Sequence, residues 1–145
     1  MAGLHIKVST SQAITMGTSP TQVTLLSYTA PAGGARVKKV VMEGEATSTT
    51  AAKGQAILKK GGSGGTGTSV TPAKSHGHTG SPAGTAKEAY SSNPTGGTVI
   101  DRGSLNTYGG KVFPDEIILN PSEMIEVQAM AAAAVGVTVN MFIEE

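Results

Sequence analysis

The chain contains no cysteine and no tryptophan, and only three Tyr and two Phe among 145 residues. Without cysteine there are no disulfides, no thiolate metal sites and no thiol nucleophile. That composition fits a protein made in a reducing cytoplasm. Charge is also scarce. Asp, Glu, Lys and Arg make up 14% of the chain, against ~25% in an ordinary soluble domain. Eleven basic residues against ten acidic ones leave a net charge of +1, which argues against sequence-specific nucleic acid as a partner. No run approaches the ~18 apolar residues of a bilayer span. The start, Met1-Ala2-Gly3-Leu4-His5-Ile6-Lys7, lacks the charged opening and apolar block of a secretory signal. A soluble chain with no membrane association is expected. No repeat of 20–50 residues is present, which excludes a solenoid or propeller.

What the chain has in quantity is punctuation: 20 Gly and 7 Pro. Between these turn formers lie short segments with the period of two that marks a strand. Leu4, Ile6 and Val8 alternate with His5 and Lys7; residues 21–29 are rich in Thr, Val, Leu and Tyr. Residues 35–46 read as a third strand of ambiguous register, because Val37/Val41 and Val40/Met42 fall on opposite faces. Residues 54–60 form a fourth, ending in Lys59-Lys60. Thr98-Val99-Ile100, residues 112–119 and residues 124–129 follow, with Asn120-Pro121 as a turn between the last two. The clearest pattern closes the chain. Val135, Val137, Val139, Met141 and Ile143 take every second position, with Gly136, Thr138, Asn140, Phe142 and Glu144 between. The run Ala129 to Ala134 has helical propensity but is too short for a helix, and reads as a compact connection or strand end.

Residues 61–97 differ. Val70 and Tyr90 are their only large apolar side chains, amid Gly, Ser, Thr and Ala. Such a stretch buries too little surface to offset its ordering entropy. It is expected to be an extended inter-strand loop held by a neighbouring protein surface. The sum is one domain over 1–145, an all-β antiparallel β-sandwich or jelly roll with one long Gly/Ser/Thr-rich loop.

Chemistry is sparse. His76 and His78, in Ser75-His76-Gly77-His78-Thr79, would share one face of a strand and are weak metal candidates, most of all at a trimer axis. A solvated loop with two exposed imidazoles, or imidazoles hydrogen-bonded to a neighbouring subunit, is the favoured reading. Gly61-Gly62-Ser63-Gly64-Gly65-Thr66-Gly67-Thr68 is glycine-rich, but Val70-Thr71-Pro72 follows where a phosphate cradle needs a helix. The acidic residues are scattered, and no Gly-x-Ser-x-Gly elbow is present. No catalytic residue, cofactor or enzyme activity is expected. Arg36, Lys38-Lys39 and Lys59-Lys60 read as solvated strand faces.

The runs Ala56-Ile57-Leu58-Lys59-Lys60-Gly61-Gly62, Gly65 to Lys74, Ser81-Pro82-Ala83, Tyr90 and Asn93-Pro94-Thr95-Gly96-Gly97-Thr98 together resemble small β-sandwich virion proteins of tailed bacteriophages. Ile118-Leu119-Asn120-Pro121-Ser122-Glu123-Met124-Ile125-Glu126-Val127 is similar to a closing hairpin of such proteins, with Pro-Ser in place of the frequent Pro-Gly. The resemblance spans about residues 54–145 and implies a capsid decoration or cement protein on the virion surface. Its implied partners are the major capsid protein and further copies of itself, as a dimer or trimer. Val70, Pro72, Lys74, His76, His78, Pro82, Tyr90 and Pro94 are the expected partner contacts. Removing Gly61 to Gly97 should then spare the sandwich and abolish attachment. The alternatives are a phage fibre, neck or tail accessory, or a receptor- or carbohydrate-binding module using Tyr90 and Tyr108.

Overall fold

The structure is a computed structural model that describes residues 3–18, 21–44, 53–75, 80–106, 110–131 and 135–145, without the side chains of Lys53 and Asn106. Its described residues form two seven-stranded sheets. The first holds β1 (His5–Ser9), β2 (Ile14–Thr15), β5 (Ala35–Gly44), β8 (Ala73–Lys74), β11 (Lys111–Phe113), β12 (Ile117–Leu119) and β14 (Gly136–Glu144). The second holds β3 (Gly17–Thr18), β4 (Val23–Thr29), β6 (Lys53–Ser63), β7 (Thr66–Val70), β9 (Thr85–Ser92), β10 (Thr95–Asn106) and β13 (Met124–Ala131). Pairing is antiparallel except for the two-residue contact of β3 with β13.

Strand order exposes the plan. The first sheet runs β11-β5-β14-β1-β8, with β12 also on β5, and the second runs β10-β6-β13-β4-β9-β7. Early strands pair with late ones in nested sets: β1 with β14, β4 with β13, β5 with β11 and β12, β6 with β10. The chain is thus one long hairpin rolled so that successive pairs alternate between sheets. This is the jelly-roll arrangement, two Greek keys closing on one core.

Alternation places the core. Val137, Val139, Met141 and Ile143 of β14 face inward with Ile6 and Val8 of β1, and from the other sheet Leu58, Ile125, Val127 and Tyr28 meet them, all at most 1% exposed. The register ambiguity of residues 35–46 resolves as a β-bulge. Phe142 pairs with Lys39 but Ile143 with Val37, so Lys38 is the extra residue, and Val37, Val40 and Met42 all point inward. A second bulge sets Val127 opposite Leu26 and Gln128 opposite Thr24, which turns both Leu25 and Leu26 into the core. Residues 112–119 form two strands rather than one, β11 and β12, interrupted at Pro114. Residues 129–131 end β13.

Segment 61–97 departs from expectation: it is not an extended loop. The ends of β6 and β10 occupy its margins, and β7, β8 and β9 its interior. β7 and β9 continue the innermost hairpin, with Thr66 opposite Ser92 and Val70 opposite Ala86. At Gly64-Gly65 and Asn93-Pro94 this hairpin bends, and β9 pairs along the free edge of β4. The segment finds its ordering contacts within its own chain. Ala86 and Tyr90 are buried, and Val70 packs against the core.

Candidate functional site

The bent hairpin seals the outward side of the second sheet. Glu126 and Gln128 alternate with core residues and so point away from the core, yet they are 1% and 6% exposed. Glu126 Oε1 accepts hydrogen bonds from Thr24 Oγ1 (3.0 Å) and Gln128 Nε2 (2.6 Å). Glu126 Oε2 has no hydrogen-bond partner among the described residues. The Asn93 side chain fixes the bend, accepting from Thr24 N (2.9 Å) and donating to the Gln22 carbonyl (2.8 Å). Tyr90 Oη and Ser27 Oγ lie 2.6 Å apart. Burial, with the nearby Glu126 charge, pushes the Tyr90 hydroxyl up against the opposing pull of Ser27. Beneath Gly64 and Gly65 a cavity of about 190 Å³ remains, bordered by Ser27, Thr29, Thr85 and Tyr90.

These positions revise the expected contact set. Tyr90 is 5% exposed and Pro94 is buried, so neither is offered to a partner; both are consumed in folding the hairpin back. Pro72 and Pro82 are half-buried, and Lys74 is exposed on β8 beside β1. His76, His78 and Tyr108 lie outside the described residues. Among the described residues no group of three or more His, Asp or Glu is placed to hold a metal ion.

The outward side of the first sheet is different in kind. Three strands supply one cross-strand row: Lys7 of β1 pairs with Phe142 of β14, and Phe142 with Lys39 of β5. Both ammonium groups lie over the Phe142 ring, 5.5 Å (Lys7) and 4.8 Å (Lys39) from its centroid, which is cation–π geometry. In the row on one side, Val112 pairs with Val41, and Val112 is 49% exposed. In the row on the other side, Ile118 pairs with Arg36 and is 62% exposed. Charges border this strip. Glu116 meets Arg36 Nε (3.3 Å) and Lys38 Nζ (3.1 Å), and Lys38 also meets Glu144 (3.2 Å). Hydrogen bonds to Glu116 and Glu144 raise the Lys38 pKa, and the same Lys38 contact lowers that of Glu144. A shallow depression of about 260 Å³ adjoins this network, bordered by Gly33, Gly34, Arg36, Ile118 and Glu145. Two cations on one outward aromatic, with exposed aliphatics on either side, make a surface suited to contact rather than to bond-breaking chemistry.

The outward placement of Phe142 was readable from the alternation of β14. Its neighbours were not, since Lys7 and Lys39 reach it only through register.

No protein-family model and no curated protein matches the chain. Among solved structures, the chain is similar to one from the naturally occurring empty particles, or top component, of cowpea mosaic virus. The TM-score is 0.42 and the identity 7%, over 99% of this chain and 82% of that one. A second likeness, to infectious bursal disease virus strain Gx, has a TM-score of 0.23 and 11% identity, over 99% of this chain and 40% of that one. Neither is close enough to transfer a property to this chain.

Proposed function

We propose that this chain is a structural protein of a virus particle, of the capsid decoration or cement type, which docks across major capsid subunits and stabilises the head. The observation that carries the reading is the strand order itself. Nested pairs β1/β14, β4/β13, β5/β11 and β6/β10 form a jelly roll, an architecture used by viral capsid and lectin domains. Fold alone does not fix function, and the surfaces add to it. The hairpin that the sequence offered as a clamp is bound to its own second sheet, so the first sheet's outward side becomes the docking side. The resemblance to small tailed-phage virion proteins points the same way. Repetition over a symmetric shell lets a modest contact per copy hold firmly. A carbohydrate-binding module loses support, because Tyr90, which it needs exposed, is buried.

Quantitative mass spectrometry of purified particles of the virus encoding this chain tests the reading. The chain should be present in many copies, and particles lacking it should release their genome at a lower temperature. Absence of the chain from the particles would overturn it.

A further inference from the structure

The row Lys7–Phe142–Lys39 carries positive charge that no carboxylate of the described residues pairs with. The lysine and arginine beside it on the outward strip are neutralised locally: Lys38 bonds two carboxylates, and Arg36 one. Lys7 and Lys39 have no acidic partner within ion-pair distance among the described residues, and both are exposed. Lys7 and Lys39 come from the strands on either side of β14, so Phe142 is flanked by two ammonium groups and offers each only its ring quadrupole. A carboxylate reaching either exposed ammonium group from the solvent side would neutralise it by a charge-assisted hydrogen bond and leave its ring contact in place.

We propose that this row anchors a docking surface for a protein partner that presents side-chain carboxylates beside apolar side chains. Val41 and Val112 on one side, and Ile118 on the other, give the apolar half of the complement. The acidic residues of the same face decide against nucleic acid. A phosphate backbone carries charge every few ångströms, so it would meet Glu43, Glu116 and Glu144 as well as the lysines. A carboxylate set on Lys7 or Lys39 avoids them. Size sets the strength. Four neighbouring strands about 4.8 Å apart, by about 30 Å along the longest, give roughly 500 Å². Stable binary complexes use ~800 Å² per partner, so one site is weak and gains avidity only by repetition on an assembled surface. The identity of that surface as a capsid rests on the function proposed above; the carboxylate chemistry does not.

Two measurements separate the two. In the first, the isotope-labelled chain is titrated with a short peptide alternating Glu and Val, with its Lys–Val counterpart, and with a short DNA duplex. The Glu–Val peptide should shift amides of Lys7, Lys39 and Phe142 and lose affinity as salt rises. K7E/K39E should weaken it by about tenfold or more, and K7Q/K39Q by less, with unchanged thermal melting in both. Shifts confined to the second sheet, tighter binding of DNA at the row, or full affinity in K7E/K39E would each overturn the proposal. In the second, the copy number of K7E/K39E on particles is compared with that of the unaltered chain. Equal occupancy overturns this docking row and leaves the virion role intact. If the unaltered chain is itself absent from particles, the virion role falls, and the titration alone decides the row.

Discussion

Tyr28 is 0% exposed, and its hydroxyl donates a hydrogen bond to Glu145. The same carboxylate accepts from the backbone amides of Ala83 (2.8 Å) and Gly84 (2.7 Å). One charged group therefore satisfies three donors from two distant parts of the chain. Hydrogen bonds to charged groups contribute about 1.5–3 kcal/mol each when well buried. Because Glu145 is partly exposed, Glu145→Ala is expected to cost about 2–3 kcal/mol in total, measured by urea unfolding. Tyr28→Phe should cost less, since the two amides keep their acceptor. Neither residue stood out in the sequence, because the clasp joins positions 117 apart.

The tyrosines also set an alkaline limit. Burial first, then the Glu145 contact, pushes the Tyr28 hydroxyl far above its ordinary value of 10.0, and burial likewise raises that of Tyr90. The folded chain keeps both protonated where the unfolded chain releases the protons. Their contribution to stability is complete below about pH 10 and is lost as pH rises beyond it. Urea midpoints should fall steeply on that limb, and in a Tyr108→Phe background absorbance at the tyrosinate band should rise only together with unfolding. Smooth ionisation of these tyrosines in the folded chain would contradict their burial.

At the scale of elements, what could be read was whatever obeys a strict period of two. β14 and β1 lie where alternation placed them, because each has one face on the core. β5 defeated the pattern at a single inserted residue, Lys38, since a bulge leaves no mark in composition. The 61–97 segment was misjudged for another reason. Gly and Ala have little strand propensity of their own, and β7 and β9 owe their order to a sheet edge and a polar outward face that the local sequence does not contain. The bend gives a paired test of this account. Gly64 and Gly65 both have positive φ (+74° and +81°). A Cβ on Gly64 would meet nothing within 4 Å, whereas one on Gly65 would lie 2.7 Å from Pro94 N. Gly64→Ala should therefore cost only the left-handed penalty, about 1 kcal/mol. Gly65→Ala should cost clearly more, about 2–3 kcal/mol, because backbone must also shift. Equal losses by denaturant unfolding would mean that the two arms of the bend do not touch.

For the whole molecule, the nested pairing makes the innermost hairpin a structural member rather than an appendage. Consider a chain in which residues 66–92 are removed, so that β6 returns to β10 through Gly64, Gly65, Asn93 and Pro94. Loop entropy alone favours the shorter connection by up to about 2 kcal/mol. Against it stand the buried Tyr90 and Ala86 and the pairing along β4. The Glu88 carboxylate, which accepts from both the amide and the hydroxyl of Ser11, is lost as well. Removing one large buried aromatic typically costs about 3–5 kcal/mol, so the balance falls against the shortened chain even before the uncovered Glu126 and Gln128 are considered. It should unfold at a much lower urea concentration or lose its cooperative transition. The loop reading of this segment required the opposite, an intact sandwich that merely fails to attach. A shortened chain as stable as the full one would restore that reading and return residues 66–92 to the list of surfaces available to a partner.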